Sequence, residues 1–104
     1  MPRNPNTKVE GSSFDQATIN AVWCKAQAVS GYDENDYRKD RCGAWIRKQS
    51  YGTTVDYGWE IDHDKPVARN GTDYLSNLQP LHWRNNRGKA DNWPQWTCTI
   101  KATS

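Results

Sequence analysis

A chain of 104 residues is one domain by length, near the lower end of what supports an ordinary hydrophobic core. With 35% hydrophobic and 25% charged residues its core is modest, and no apolar run approaches the roughly 20 residues that a membrane span requires. The net charge of +2 and pI near 8.5 fall short of the pI above about 9 that marks a typical nucleic-acid-binding domain, so global charge alone does not point to DNA.

Residues 1–12 carry no apolar stretch of the signal-peptide kind and read as a polar, flexible arm, which leaves 13–104 as the domain and the cytoplasm as the default compartment. The first predicted element is a helix from about Phe14 to Val29. Ser13 and Gln16 form a capping box, Ile19, Val22, Trp23, Ala26 and Val29 recur at helical spacing, and Gly31 suits a left-handed stop. Tyr32 to Cys42 is rich in charge and reads as a loop. Ala44 to Lys48 is a candidate strand followed by a Gly52-Thr53 turn. Tyr57 to Asp62 alternates apolar and acidic residues, as a strand does. Asn70-Gly71 signals a turn. Leu78 to Leu81 makes a second strand, with Pro80 placing it at an edge or bulge. Trp83 to about Asn92 forms a polar helix broken by Pro94, and its Gly88, costly in a helix interior, suggests a functional face. Beyond it, Trp96, Cys98 and Ile100 alternate with polar residues as in a half-buried closing strand.

Cys24, Cys42 and Cys98 are an odd set without a C-x-x-C pair, which favours buried free thiols over a disulfide framework. A mixed zinc site from Cys42, His82 and Cys98 lacks an obvious fourth ligand. Arg84, Arg87 and Lys89 cluster within six positions, with Lys65 and Arg69 upstream.

The informative stretch runs from Trp59-Glu-Ile-Asp62-His63 through Gly71-Thr-Asp and Leu75-Ser-Asn77-Leu to Asn86-Arg-Gly-Lys89. It resembles the HNH endonuclease family, with Arg41-Cys-Gly-Ala-Trp similar to the family's lead-in. The resemblance implies an α+β fold in which an N-terminal helix accompanies a ββα-metal hairpin-helix motif. It also implies metal-dependent hydrolysis of DNA phosphodiester bonds, by nicking or double-strand cleavage with low sequence specificity, leaving 5′-phosphate and 3′-hydroxyl ends. In that scheme Asp62 and Asn86 hold one divalent ion, and His63 activates water. Asn77 braces the loop and the base, and Lys89 or Arg87 contacts phosphate. Arg84, Lys65 and Arg69 add nucleic-acid contacts.

Independent chemistry agrees. A hard ion such as Mg²⁺ or Mn²⁺ takes oxygen donors, which a carboxylate and an amide supply, and imidazole is substantially neutral at pH 7. Adjacent strand residues point to opposite faces, so a shared site for Asp62 and His63 calls for a bulge or twist. The knuckles that bind structural zinc in many relatives correspond here to Cys42-Gly-Ala-Trp45 and His82-Trp-Arg-Asn85. Structural zinc is therefore not expected, Trp45 and Trp83 are expected to fill the space, and His82 is expected to be buried and hydrogen-bonded. The alternative function is a weak or inactive HNH-fold nucleic-acid-binding module of a larger phage or restriction assembly. Oligomeric state, monomer or homodimer, is not encoded legibly.

Overall fold

The computed structural model describes residues 3–101. Helix α1 (Gln16–Trp23) is followed by strands β1 (Tyr37–Lys39) and β2 (Trp45–Arg47), then β3 (Trp59–His63), β4 (Leu78–His82) and helix α2 (Trp83–Lys89). The mixture is α+β, and β3, β4 and α2 form the hairpin-helix unit that the sequence predicts. Among the described residues no helix is long and apolar enough to cross a membrane.

Helix α1 is shorter than its periodicity suggests. Its N-cap is Asp15, whose carboxylate accepts from the Thr18 amide, rather than Ser13, and it stops at Trp23. The chain then turns through 3₁₀-type bonds from Lys25 and Ala26 and pairs Gln27 with Lys39. Arg38 stabilises this early exit, its guanidinium donating to the carbonyls of Cys24, Ala26 and Glu34. The apolar stripe survives the break, since Val22, Trp23 and Ala26 all enter the core. Tyr37 to Lys39, expected as loop, forms β1 by pairing antiparallel with β2.

Strands β3 and β4 pair antiparallel, Trp59 opposite His82 through His63 opposite Leu78. Pro80 lies opposite Ile61, whose N–H points away from β4 to the Asn6 side chain, so the missing proline donor costs the ladder nothing. The core joins Phe14, Val22 and Trp23 to Ile46, Trp59, Ile61 and Leu78, placing α1 on one face of the hairpin. Helix α2 covers the other.

The tail from Trp93 to Lys101 forms no strand, although Trp96, Cys98 and Ile100 are half-buried in alternation. It is held instead by a Cys42–Cys98 disulfide and by Asn85, which exchanges hydrogen bonds with the Ile100 backbone. The expectation of three buried thiols is thus corrected: two are bonded, and Cys24 is free and exposed. Gly88 also has a packing reason, because a Cβ there would lie 2.0 Å from Thr99 Oγ1 of this tail.

A buried carboxylate joins the two knuckle segments. Asp40 Oδ1 accepts from the amides of Cys42 and Ala44, and its Oδ2 accepts from the His82 amide and Asn85 Nδ2. Trp45 packs against Tyr32 and Tyr37, and Trp83 stacks on His82. His82 is buried, with Nε2 2.6 Å from the Asp56 carbonyl and Nδ1 accepting from the Arg84 amide.

Candidate active site

Strand β3 delivers three acid–base groups in four residues. Its ladder with β4 is one-to-one, with no extra residue, so Asp62 and His63 do point to opposite faces and the expected bulge is absent. They meet by a different route. The other edge of β3 is free of strands, and residues Arg3 to Thr7 run along it, with Asn6 Oδ1 accepting the Ile61 N–H at 2.8 Å. Between this arm, the loop after β3 and α2 lies an open cavity of about 410 Å³. Groups from both faces of a strand can reach a groove along its edge, and Glu60, Asp62, His63, Asn86 and Arg87 all line this one.

Asp62 is buried on the α2 face. Its Oδ2 accepts from Gln79 Nε2 at 2.8 Å, the cross-strand neighbour, and its Oδ1 lies 3.2 Å from the Lys89 ammonium. Burial pushes its carboxyl above the usual value. The Gln79 amide and the Lys89 charge pull it part of the way back, and Asp64 pushes it up further. Each carboxylate oxygen offers two lone-pair positions, so this hydrogen bonding leaves room for a cation.

Asn86 projects from α2 into the same cavity, oriented by Glu60. The Glu60 carboxylate, only 1% exposed, accepts from Asn86 Nδ2 and Arg87 Nη2, both at 2.9 Å. An ionised carboxylate only accepts, so the Asn86 amide must turn its NH₂ to Glu60, which leaves Oδ1 as the atom available to an ion. A buried carboxylate and an amide oxygen suit a small hard divalent ion that keeps most of its waters. Among the described residues no three His, Cys, Asp or Glu side chains gather as a metal site.

His63 is nearly buried, 6.0 Å from the Phe14 ring, with Nε2 2.8 Å from Asp73 Oδ1. Asn77 lies away from this cavity and ties the loop together. Its Oδ1 accepts the Lys65 amide and its Nδ2 donates to the carbonyls of Lys65 and Thr72. The loop closes tightly through Asn70, at φ 70°, and Gly71, where a Cβ would meet the Lys65 carbonyl oxygen at 1.6 Å.

Lys89 departs from expectation. It is fully buried, its ammonium held by Asp62 and by the His63 carbonyl at 3.1 Å, so it braces the acid rather than reaching a phosphate. Arg87 is half-exposed at the cavity rim and reaches both Glu60 and the Trp83 ring, on which Arg84 also sits. Lys65 and Arg69 stand to the other side, Lys65 over the Trp93 ring and Arg69 bonded to the Asp91 carbonyl. None of Arg84, Lys65 and Arg69 lines the cavity.

Sequence reasoning missed Glu60, Gln79 and Asp73. The alternation of Trp59 to Asp62 already placed Glu60 beside Asp62 on one face, and that was the available signal. The Gln79 and Asp73 contacts depend on register and loop closure.

Compared with the curated proteins and the solved structures, the chain shows no significant match. The family model described as HNH endonuclease matches residues 40–92, just over half of the chain and the whole span from the Asp40 hub through α2. The residue order Asp62-His63, Asn77 and Asn86 on a strand–loop–strand–helix frame agrees with that match, and the chain belongs to the HNH endonuclease family, nucleases that usually hold a divalent metal.

Proposed function

We propose that this chain hydrolyses DNA phosphodiester bonds in a divalent-metal-dependent reaction. The observation that carries the proposal is the convergence of Asp62, His63 and Asn86 on one open cavity. Asp62 and Asn86 Oδ1 are the residues that would hold Mg²⁺ or Mn²⁺. An ion bound there supplies Lewis-acid stabilisation of charge on the phosphate and the leaving oxygen.

The remaining steps belong to the chain. His63, with its Nε2 proton directed to Asp73, keeps a lone pair on Nδ1 to take the proton of the attacking water. The Lys89 ammonium favours the ionised form of Asp62 against its burial. Arg87 at the rim offers a positive charge to the incoming strand, and its pairing with Glu60 keeps the guanidinium over the cavity. Arg84, Lys65 and Arg69 lie outside and suit flanking phosphates, whose contacts position the duplex without reading its sequence. DNA is therefore the proposed partner, with low sequence specificity, because the basic groups present are of the phosphate-binding kind.

The test is conversion of supercoiled plasmid with Mg²⁺, Mn²⁺ or EDTA, run with the intact protein and with His63→Ala. Open-circle or linear product that disappears with EDTA and falls on the order of 10²- to 10⁴-fold in the variant supports the proposal. Absence of cleavage with every metal, with plasmid binding retained, favours a nucleic-acid-binding module. Cleavage unaffected by His63→Ala contradicts the assigned site.

A further inference from the structure

We propose that Asp73 is a positioning residue that sets the tautomer of His63, and that the Val9 amide, by fixing Asp73, makes the segment Arg3 to Val9 part of the catalytic apparatus. This rests on His63 acting as the base.

The geometry is a short relay. Asp73 Oδ1 lies 2.8 Å from His63 Nε2, and both carboxylate oxygens accept from the Val9 amide, at 3.0 and 3.1 Å. A carboxylate has no proton to give at neutral pH, so the neutral imidazole that faces it carries its hydrogen on Nε2. The lone pair is then confined to Nδ1, the nitrogen a base needs free. The shared Val9 donor fixes where the carboxylate sits, and the off-axis contact of Oδ1 with His63 Nε2 then sets the rotation of its plane.

Two further residues hold this relay in register. Asn77, through Lys65 and Thr72, sets the loop that presents Asp73. Asn6 pins the arm to β3 at Ile61, two residues before His63. The arm therefore touches β3 beside the base and also touches the residue that orients the base. Its residues Arg3 to Thr7 line the cavity that holds Asp62 and Asn86. An arm serving only as a cover would need neither bond.

The variants Asp73→Ala, Asp73→Asn and Val9→Pro test the relay, the last removing the amide donor while leaving the Asp73 side chain. Each is compared with His63→Ala in single-turnover plasmid cleavage, in plasmid affinity and in the ¹⁵N spectrum of the neutral imidazoles. His82, whose Nε2 also faces an acceptor, serves as internal reference. For Asp73→Ala the expected result is a rate lower on the order of 10- to 100-fold with plasmid affinity unchanged. The His63 ring should move from one tautomer to a mixture while His82 stays fixed. Asp73→Asn keeps an acceptor oxygen and should fall between, which preserves the test if the alanine variant folds poorly. Val9→Pro should shift the same two readouts in the same direction.

A full rate in Asp73→Ala while His63→Ala is dead overturns the inference and leaves the proposed function standing. A His63→Ala enzyme that still cleaves overturns the function beneath it. Equal losses of affinity and rate in Asp73→Ala mean a substrate contact and overturn the positioning role. An unchanged His63 spectrum and rate in Val9→Pro overturn the part played by the arm.

Discussion

Along β3, Trp59 and Ile61 face α1, while Glu60 and Asp62 face α2, and all four are at most 6% exposed. On the α1 side the neighbours are Val22, Trp23 and Leu78, and shape and apolar area are enough. On the α2 side each buried acid needs partners: Asn86 and Arg87 for Glu60, Gln79 and Lys89 for Asp62. No buried side-chain polar atom among the described residues lacks a partner. One strand thus separates the apolar core from the buried acids by the alternation of its side chains, and His63, next in line on the core side, ends the apolar row beside Phe14. The hairpin is stabilised from one side, which lets the other hold charges that burial disfavours.

Substitutions should divide along the same line. The largest effect on stability belongs to the apolar face: Trp59→Ala empties the centre of the core and should cost about 3–5 kcal/mol, measured by urea unfolding. Next comes the tether. Reducing Cys42–Cys98 releases a 56-residue separation and should cost about 2–4 kcal/mol, with the melting temperature falling in dithiothreitol. A smaller loss is expected on the polar face, where Gln79→Ala leaves Asp62 Oδ2 without its donor, about 1–3 kcal/mol in the same unfolding assay. Smallest is Arg84→Ala, exposed on Trp83, which should shift stability by less than about 0.5 kcal/mol and weaken plasmid binding chiefly at low salt.

Acidity distinguishes the polar face further. Burial raises the Asp62 carboxyl above 3.8, so its protonated form persists to higher pH than that of a surface aspartate. Metal binding needs the ionised form. Mn²⁺ affinity should therefore be full above the raised pKa and fall as pH drops through it, which calorimetry at a series of pH values would show. Affinity that holds until ordinary carboxylate pH would contradict the burial argument.

The two faces were not equally legible in the sequence. Period-two alternation from Trp59 to Asp62 gives β3 and its two faces directly, and Leu78, Pro80 and Leu81 give β4 with its edge. Local signals misled where distant contacts won. The stripe continuing to Val29 predicts a longer helix, but Arg38 and the Gln27–Lys39 pairing draw the chain out at Trp23. Gly88 suggested a functional face, and its reason is Thr99, eleven residues on. The structure brings Asp62, His63 and Asn86, the residues that the resemblance singled out, to one cavity. The way Asp62 and His63 share that cavity was not legible, because it depends on an arm more than fifty residues earlier lying on the free edge of β3. Lys89 reads as one more surface cation in a basic cluster, and only the packing of α2 on β3 turns it inward.

The most direct test of the division is to titrate Mn²⁺ into the intact protein and into Asn86→Ala, and to measure the melting temperature of both. One ion per chain is expected, with an affinity at least about tenfold weaker in the variant, whose melting temperature should fall by about 4–8 °C for each kcal/mol that the lost donor to Glu60 costs. Equal Mn²⁺ affinity in the two proteins would contradict the assignment of the α2 face as the metal-holding side of the hairpin.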